Sequence, residues 1–376
     1  MAIEETKPAG IRPARRAVLA LGAAAAGAAV APRALFAGSP VKEAPSSLAR
    51  FVTAARIGGV DRGAVLQAEG ISDFALPGRA HASLALPGGR IMLVGRRPGM
   101  FAAIAEDVSG GAVQFVRPFD SHRFAGHAAL GAHLVTAELH EETSEGLAVL
   151  RDAHSGAIRG SWQLDGIEPH EMIFADGGAR LVIALGGIAK SATIKGPPIN
   201  AGHIESAVVE LDAASGRVLH RHVLPMEYAS LSLRHMALAP DGKTIAVGIQ
   251  DQDRSALRPL VALLRVGRGL ELLPAPEGGV MRFYIGSIAI DAGGDYIAAT
   301  SPKGGCLALW SLSRGTALGH VAIEDVCGLT AAAEPGVFCA TSGLGEVVRV
   351  QADENGPSIV ARWHAGANFD NHLLRI

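Results

Sequence analysis

The sequence predicts an all-β chain folded as a seven-bladed β-propeller, whose last blade is completed by N-terminal strands and the C-terminal inner strand together. Three observations predict it. Short apolar runs recur at a near-constant interval, two classes of tight turn keep a fixed phase with them, and the two ends of the chain each hold part of one missing unit.

The runs open at His81, His127, His170, His235, Ser287, Cys327 and His372, so the openings fall 46, 43, 65, 52, 40 and 45 residues apart. Four-stranded blades take roughly 40–50 residues each, which fits this spacing. Each run starts on a His or small residue and continues apolar, as in His81-Ala82-Ser83-Leu84-Ala85-Leu86 and His235-Met236-Ala237-Leu238. Most lead into a Gly-rich turn such as Pro87-Gly88-Gly89, Asp176-Gly177-Gly178 or Pro240-Asp241-Gly242. A second turn follows later in each unit, as in Asp152-Ala153-His154-Ser155-Gly156 and Asp212-Ala213-Ala214-Ser215-Gly216. An Asp that bonds its own backbone, followed by Gly at positive φ, is hairpin chemistry. The final run, 372–376, has no room for the rest of its blade, while the stretches near 51–57 and 64–69 have no inner strand of their own. Joining them completes a seventh blade and removes the exposed sheet edges. A pair of β-sandwiches or an eight-bladed ring is the alternative.

Composition agrees. Hydrophobic residues make up 49% of the 376 and charged residues 19%, enough for a large core, and the 47 glycines suit many hairpins. The net charge of −2, with both signs interspersed, argues against a nucleic-acid-binding surface. At the N-terminus, Arg15-Arg16 precedes an Ala-rich apolar stretch over 18–30. Paired arginines before a mild apolar core read as a twin-arginine export signal, too short for a stable membrane span. The expected organisation is a signal peptide over 1–37, a linker over 38–46 and the propeller over 47–376, with the mature protein in the periplasm. An unprocessed amphipathic anchor is the competing reading of the leader. The three cysteines, Cys306, Cys327 and Cys339, cannot all pair, and a chain of this size needs no disulfide framework.

Both tight-turn classes fall on one face of such a ring. The opposite face carries the lead-in to each inner strand and the middle loop of each blade, and these are long: 118–126, 138–145, 188–206, 250–258 and 277–286. Long loops on a rigid scaffold are where sites usually sit. Onto that face come His81, His127, His170, His235 and His372, in one phase of the repeat and so convergent on the axis. Imidazole is the commonest transition-metal ligand, and Cys327, in the same phase, offers a softer one. His122, Glu168, Arg234, Arg282, Asp325, Asp370 and Asn371 stand near enough in sequence to orient those ligands or to contact a bound molecule. Three readings stay open: a metal site, a polar ligand pocket without metal, and histidines that only tie blade to blade. Arg234, beside His235, favours an anionic ligand at that point. The chain contains no phosphate-binding G-x-x-x-x-G-K-[ST] loop, no G-x-S-x-G nucleophile elbow and no C-x-x-C-H haem attachment.

From Phe74 to Ile376 the chain resembles a bacterial family of exported propellers, domain of unknown function 1513. The resemblance rests on Arg123-Phe124-Ala125-Gly126-His127, Gly166-Ile167-Glu168-Pro169-His170-Glu171, Leu231-Ser232-Leu233-Arg234-His235, Tyr284-Ile285-Gly286-Ser287, Thr300-Ser301-Pro302-Lys303-Gly304-Gly305, Asp325-Val326-Cys327-Gly328 and Phe369-Asp370-Asn371-His372. The chain departs from the family at Ala125, usually an aromatic, at Leu139-His140, usually Asn-Asp, and at Leu185, usually Asn. The resemblance implies a periplasmic protein whose partners are of the imelysin-like or dihaem-oxidase-like type, in iron acquisition, with no activity assigned. The expected function is therefore a periplasmic, monomeric propeller that binds iron or copper, or a small ligand, at a histidine-lined mouth. The alternative is a non-catalytic protein-interaction scaffold, and a hydrolase-type propeller enzyme, which would need an acidic calcium-binding set, is a distant third.

Overall fold

A computed structural model describes residues 49–68, 70–96, 99–107, 111–189, 200 and 204–376. The expected signal peptide and linker, 1–46, lie outside the described residues, as does most of the long loop 188–206. The described chain forms seven antiparallel sheets and no α-helix, an all-β seven-bladed propeller. Blades 1 to 6 run in chain order, each with four consecutive strands laid down from the inside outward. Their innermost strands are Ala80–Ala85, His122–Leu130, Pro169–Ala175, Leu231–Leu238, Ser287–Ile290 and Val326–Ala331. In the seventh sheet Phe51–Ile57, Val60–Gln67 and Gly70–Ala75 are joined by two short C-terminal segments. Asn368–Phe369 pairs with Ala55 and Arg56, and Leu374–Arg375 pairs with Phe51 and Val52. Between these segments Thr53 donates its hydroxyl to the His372 carbonyl at 2.8 Å. The C-terminal run is thus two short pairings interrupted around His372, whose φ of +73° breaks a continuous strand.

Burial follows strand position. The middle strands are almost wholly apolar and inaccessible, as in Ile91–Gly95, Arg180–Leu185 and Cys306–Ser311. Strands covered on both faces lack the apolar/polar alternation, because each blade packs against a neighbour on either side. Outer strands such as Ile158–Ile167 and Gly356–His364 alternate instead, with one face in water. Trp310, Phe51, Phe124 and Phe338 are the bulkiest fully buried side chains, and Trp310 donates its indole N–H to the Pro274 carbonyl at 2.8 Å. The hairpin chemistry is as read from the sequence. Asp152 and Asp212 each accept the backbone N–H of the Ser three residues on, at 2.8 and 2.9 Å, and Gly156 and Gly216 follow at φ +70° and +72°. All three cysteines are free and buried. Among the described residues no helix is long and apolar enough to cross a membrane.

Candidate metal centre

In blades 1 to 4 the inner strand is irregular where its histidine stands. The pairing register slips between Ala80 and Ser83, between Phe124 and Ala128, between Pro169 and Met172, and between Leu233 and His235. A bulge puts extra residues against one side of the ladder and re-aims the side chains there. In blade 7 the break around His372 has the same effect. These bulges explain how neighbours in sequence, which would point apart in a regular strand, serve one site. His170 and Glu171 are one such pair, Arg234 and His235 another.

The five imidazoles converge. Ring centroids lie 4.5 Å apart for His127–His170, 4.6 Å for His81–His372, and 4.7 Å for His127–His372, His170–His235 and His235–His372. His127 and His235 are each only 1% exposed. Two ligand sets form among them. His127, Glu171, His235 and His372 make one, and His81, His127 and His170 the other, with the ligand atoms of each set within 4.8 Å of one another. His127 belongs to both. Each imidazole also has a buried ring nitrogen without a hydrogen-bond partner: Nδ1 of His81 and His170, Nε2 of His127 and His372, and both nitrogens of His235. Buried polar atoms are seldom left so, and six in one cluster call for a ligand.

Glu171 was not among the sequence candidates, yet it is the carboxylate of the site. From blade 3 it reaches both neighbouring blades. Its Oε1 lies 3.6 Å from Nδ1 of His127, its Oε2 lies 3.5 Å from Nδ1 of His235, and Oε2 accepts the Met236 N–H at 3.1 Å. At 3.5–3.6 Å these contacts are longer than a normal hydrogen bond, but the charge of the carboxylate favours the Nδ1–H tautomer of both histidines and leaves each Nε2 a lone pair. Burial works against the charged carboxylate, but the nearby imidazoles, His127 first, hold Glu171 well below the usual carboxylate range. Burial likewise pushes His81, His170 and His372 well below the ordinary histidine value, and mutual repulsion among the imidazoles adds to it. His235 is pushed down to about 4, chiefly by burial and against the pull of Glu171. Neutral imidazoles at pH 7 are the form that binds a metal.

The other sequence candidates surround the cluster at different depths. Arg234 is buried and ion-paired at 2.8 Å with Glu168, which takes a positive φ of +54° and also accepts the Ile188 N–H. Burial lowers Arg234 to about 10. Asp370, also buried, bridges Arg79 and Arg96, the latter at 3.0 Å. Asn371 donates its side-chain N–H to the Tyr284 hydroxyl. Arg282 and Arg234 line a cavity of about 610 Å³ together with His81, His170 and Tyr284. A second cavity, of about 280 Å³, is lined by His127, Glu171 and His372, so the histidines stand between the two. His122 is not brought to the cluster. Its ring packs against His140 and Phe119, and its Nδ1 lies 2.8 Å from the Asp120 carbonyl.

Cys327 is not brought to the cluster either. Blade 6 has the same bulge, between Val326 and Gly328, but the thiol lies against the carbonyls of Thr341, Phe369 and Asp370 at 3.3–3.6 Å. Burial pushes it up to about 12, so it stays a neutral donor. Asp325 lines a separate cavity with Cys327 and Arg79. Ser287, in blade 5, lies on a strand of regular register; it lines the smaller cavity with His127, Glu171 and His372 but belongs to neither ligand set, and its N–H is donated to the Thr300 hydroxyl at 2.9 Å.

Set beside curated proteins, the sequence matches none. Among solved structures it is similar to a chain of Kuenenia stuttgartiensis hydrazine synthase, with a TM-score of 0.57 and 13% identity over 88% of this chain and 99% of that one. At that identity the likeness speaks for the fold alone. The family model described as protein of unknown function (DUF1513) matches residues 74–376, which take in every histidine of the cluster, and the chain belongs to that family.

Proposed function

We propose that this protein is a periplasmic propeller that binds a transition metal ion, iron or copper, in its central channel and serves iron acquisition. The observation that carries the metal reading is the set of five converging imidazoles, each with a buried nitrogen that no protein group satisfies. Neutral imidazole suits both metals, and a carboxylate beside three imidazoles suits iron in particular. His127, His235 and His372, with Glu171 beside them, would hold the ion, and His81 and His170 would complete its surroundings. The bound metal would supply Lewis-acid or one-electron chemistry. The protein's own part is to keep His81, His170, His235 and His372 neutral, to orient His127 and His235 through Glu171 and to shield the site from bulk water. Location in the periplasm follows from the paired arginines at 15–16, and the link to iron from the family resemblance. Metal analysis of the purified mature protein tests this. About one equivalent of iron or copper per chain, as isolated or after reconstitution, is expected, and well under one equivalent in both preparations defeats it.

A second reading, a non-catalytic scaffold, draws on an exposed apolar strip on the loop face. Val223 and Met226, 59% and 73% exposed, stand in the lead-in to blade 4 beside Ile204 and Tyr228. Under that reading, an imelysin-like partner is still captured after His127→Ala and His170→Ala and is lost when the loop 188–206 is shortened. The reverse pattern rules it out.

A further inference from the structure

The wall of the larger cavity is strongly basic. Arg96, Arg234, Arg254, Arg282 and Lys303 line it, against one carboxylate, Asp251. Asp251 is committed to Arg258 at 3.0 Å and does not offset the wall. Arg96 and Arg234 are balanced from behind by Asp370 and Glu168. Arg254 and Arg282 form no ion pair among the described residues, and Arg254 lies over the Phe283 ring, 6.0 Å from its centroid. The cations come from three blades: Arg96 follows the second strand of blade 1, Arg234 and Arg254 belong to blade 4, and Arg282 and Lys303 flank the inner hairpin of blade 5. Like charges brought together at one mouth repel, and a bound anion relieves that repulsion.

The floor of the same cavity points to a ligand independently. His81 and His170, both more than nine-tenths buried, line it with their Nδ1 atoms unpartnered, and so does the buried, unpartnered Nε2 of Gln252. A singly charged anion would meet one cation of this set. A volume of about 610 Å³ with cations on three blades suits a molecule carrying several carboxylates, each able to accept a fork of guanidinium N–H groups.

We infer that this cavity binds a small polycarboxylate, which enters from the loop face, is held by Arg234, Arg254 and Arg282, and extends toward His81 and His170. The inference deepens the proposed metal function: the polycarboxylate either binds alone or arrives as the chelator carrying the ion. Calorimetric titration of the chelator-stripped mature protein with citrate, with acetate as the singly charged control, tests it, and a repeat after iron loading separates the two sources. One citrate per chain is expected, with acetate at least about tenfold weaker, and Arg254→Gln/Arg282→Gln weakens citrate at least about tenfold. Equal affinity with and without iron marks a free anion, binding only with iron marks a chelate, and both support the site. The inference is overturned if citrate binds neither form, if acetate binds as well, or if the double substitution changes nothing. Metal content of the same samples reads the histidines separately. A chain that takes up no metal but binds citrate through these arginines defeats the metal reading and leaves the anion site standing.

Discussion

Blades 4 and 5 are neighbours with the same four-stranded plan, and they treat the channel in opposite ways. Blade 4 breaks its inner-strand register between Leu233 and His235 and buries Arg234 and His235 side by side. Blade 5 keeps a regular register over Ser287–Ile290, and its polar groups stitch blades together: Thr300 donates to the Cys327 carbonyl at 2.9 Å. Around the ring the histidines occupy blades 7, 1, 2, 3 and 4, one contiguous arc, while blades 5 and 6 close the ring with Ser287 and Cys327. The difference lies in backbone register as much as in side-chain identity. Blade 6 shows this from the other side, since it has the bulge but spends its thiol on carbonyls.

The largest effect expected from breaking the arc is at His127, which both ligand sets share. His127→Ala should lower affinity for the reconstituted metal at least about 100-fold, more than loss of an orienting group alone would. His170→Ala, confined to one set, should cost less. Competition against a metal chelator of known affinity measures both. If the two substitutions have equal effects, the two sets do not share His127.

Acid should separate the arc from blades 5 and 6 next. In the folded protein His235 is pushed down to about 4, whereas the unfolded chain takes the proton near 6.5. Between those values the unfolded state binds more protons, so the stability this group contributes is whole above about 6.5 and is lost as pH falls toward 4. For His235 alone that amounts to roughly 3 kcal/mol, and His81, His170 and His372 shift in the same direction. Denaturant midpoints of metal-free protein at pH 7 and pH 5 should show a marked loss at the lower pH, and His235→Gln should reduce that loss. Cys327, held at about 12, contributes nothing in this window.

How much of this was legible in the sequence depends on what each feature rests upon. Blade number, turn chemistry and the five histidines were readable because each repeats in phase, and repeat phase maps onto angle around the axis. Bulges leave no such trace. Alternation sends Glu171 away from the face that His170 occupies, so the carboxylate joining blades 2 and 4 could be found only from the register slip after Pro169. Cys327 shows the converse: its phase and even its bulge match, but the carbonyls around it are set by the interrupted C-terminal segment, which no repeat predicts. The interruption has its own cause. Asp370 is pinned by Arg79 and Arg96 from blade 1, and its N–H is donated to the Ala54 carbonyl, which leaves His372 to turn at φ +73°.

The smallest effect on metal is expected where a histidine is added without a bulge. Ser287→His restores the repeat's residue in blade 5, and from sequence phase alone it should extend the ring to a sixth imidazole. Ser287 already lines the smaller cavity, but the regular register from Ser287↔Thr300 onward gives the new side chain no displaced backbone to turn it onto the ligand atoms. Ser287 is also buried, with its hydroxyl 3.5 Å from the Leu329 carbonyl, so a larger ring overpacks the contact between blades 5 and 6. A cost of about 1–3 kcal/mol in stability follows, with metal affinity and stoichiometry unchanged. Denaturation and metal titration of the one variant read the two quantities separately. A gain in affinity would mean that phase without a bulge is enough to place a ligand, and that the regular strand of blade 5 is not what keeps this blade out of the site.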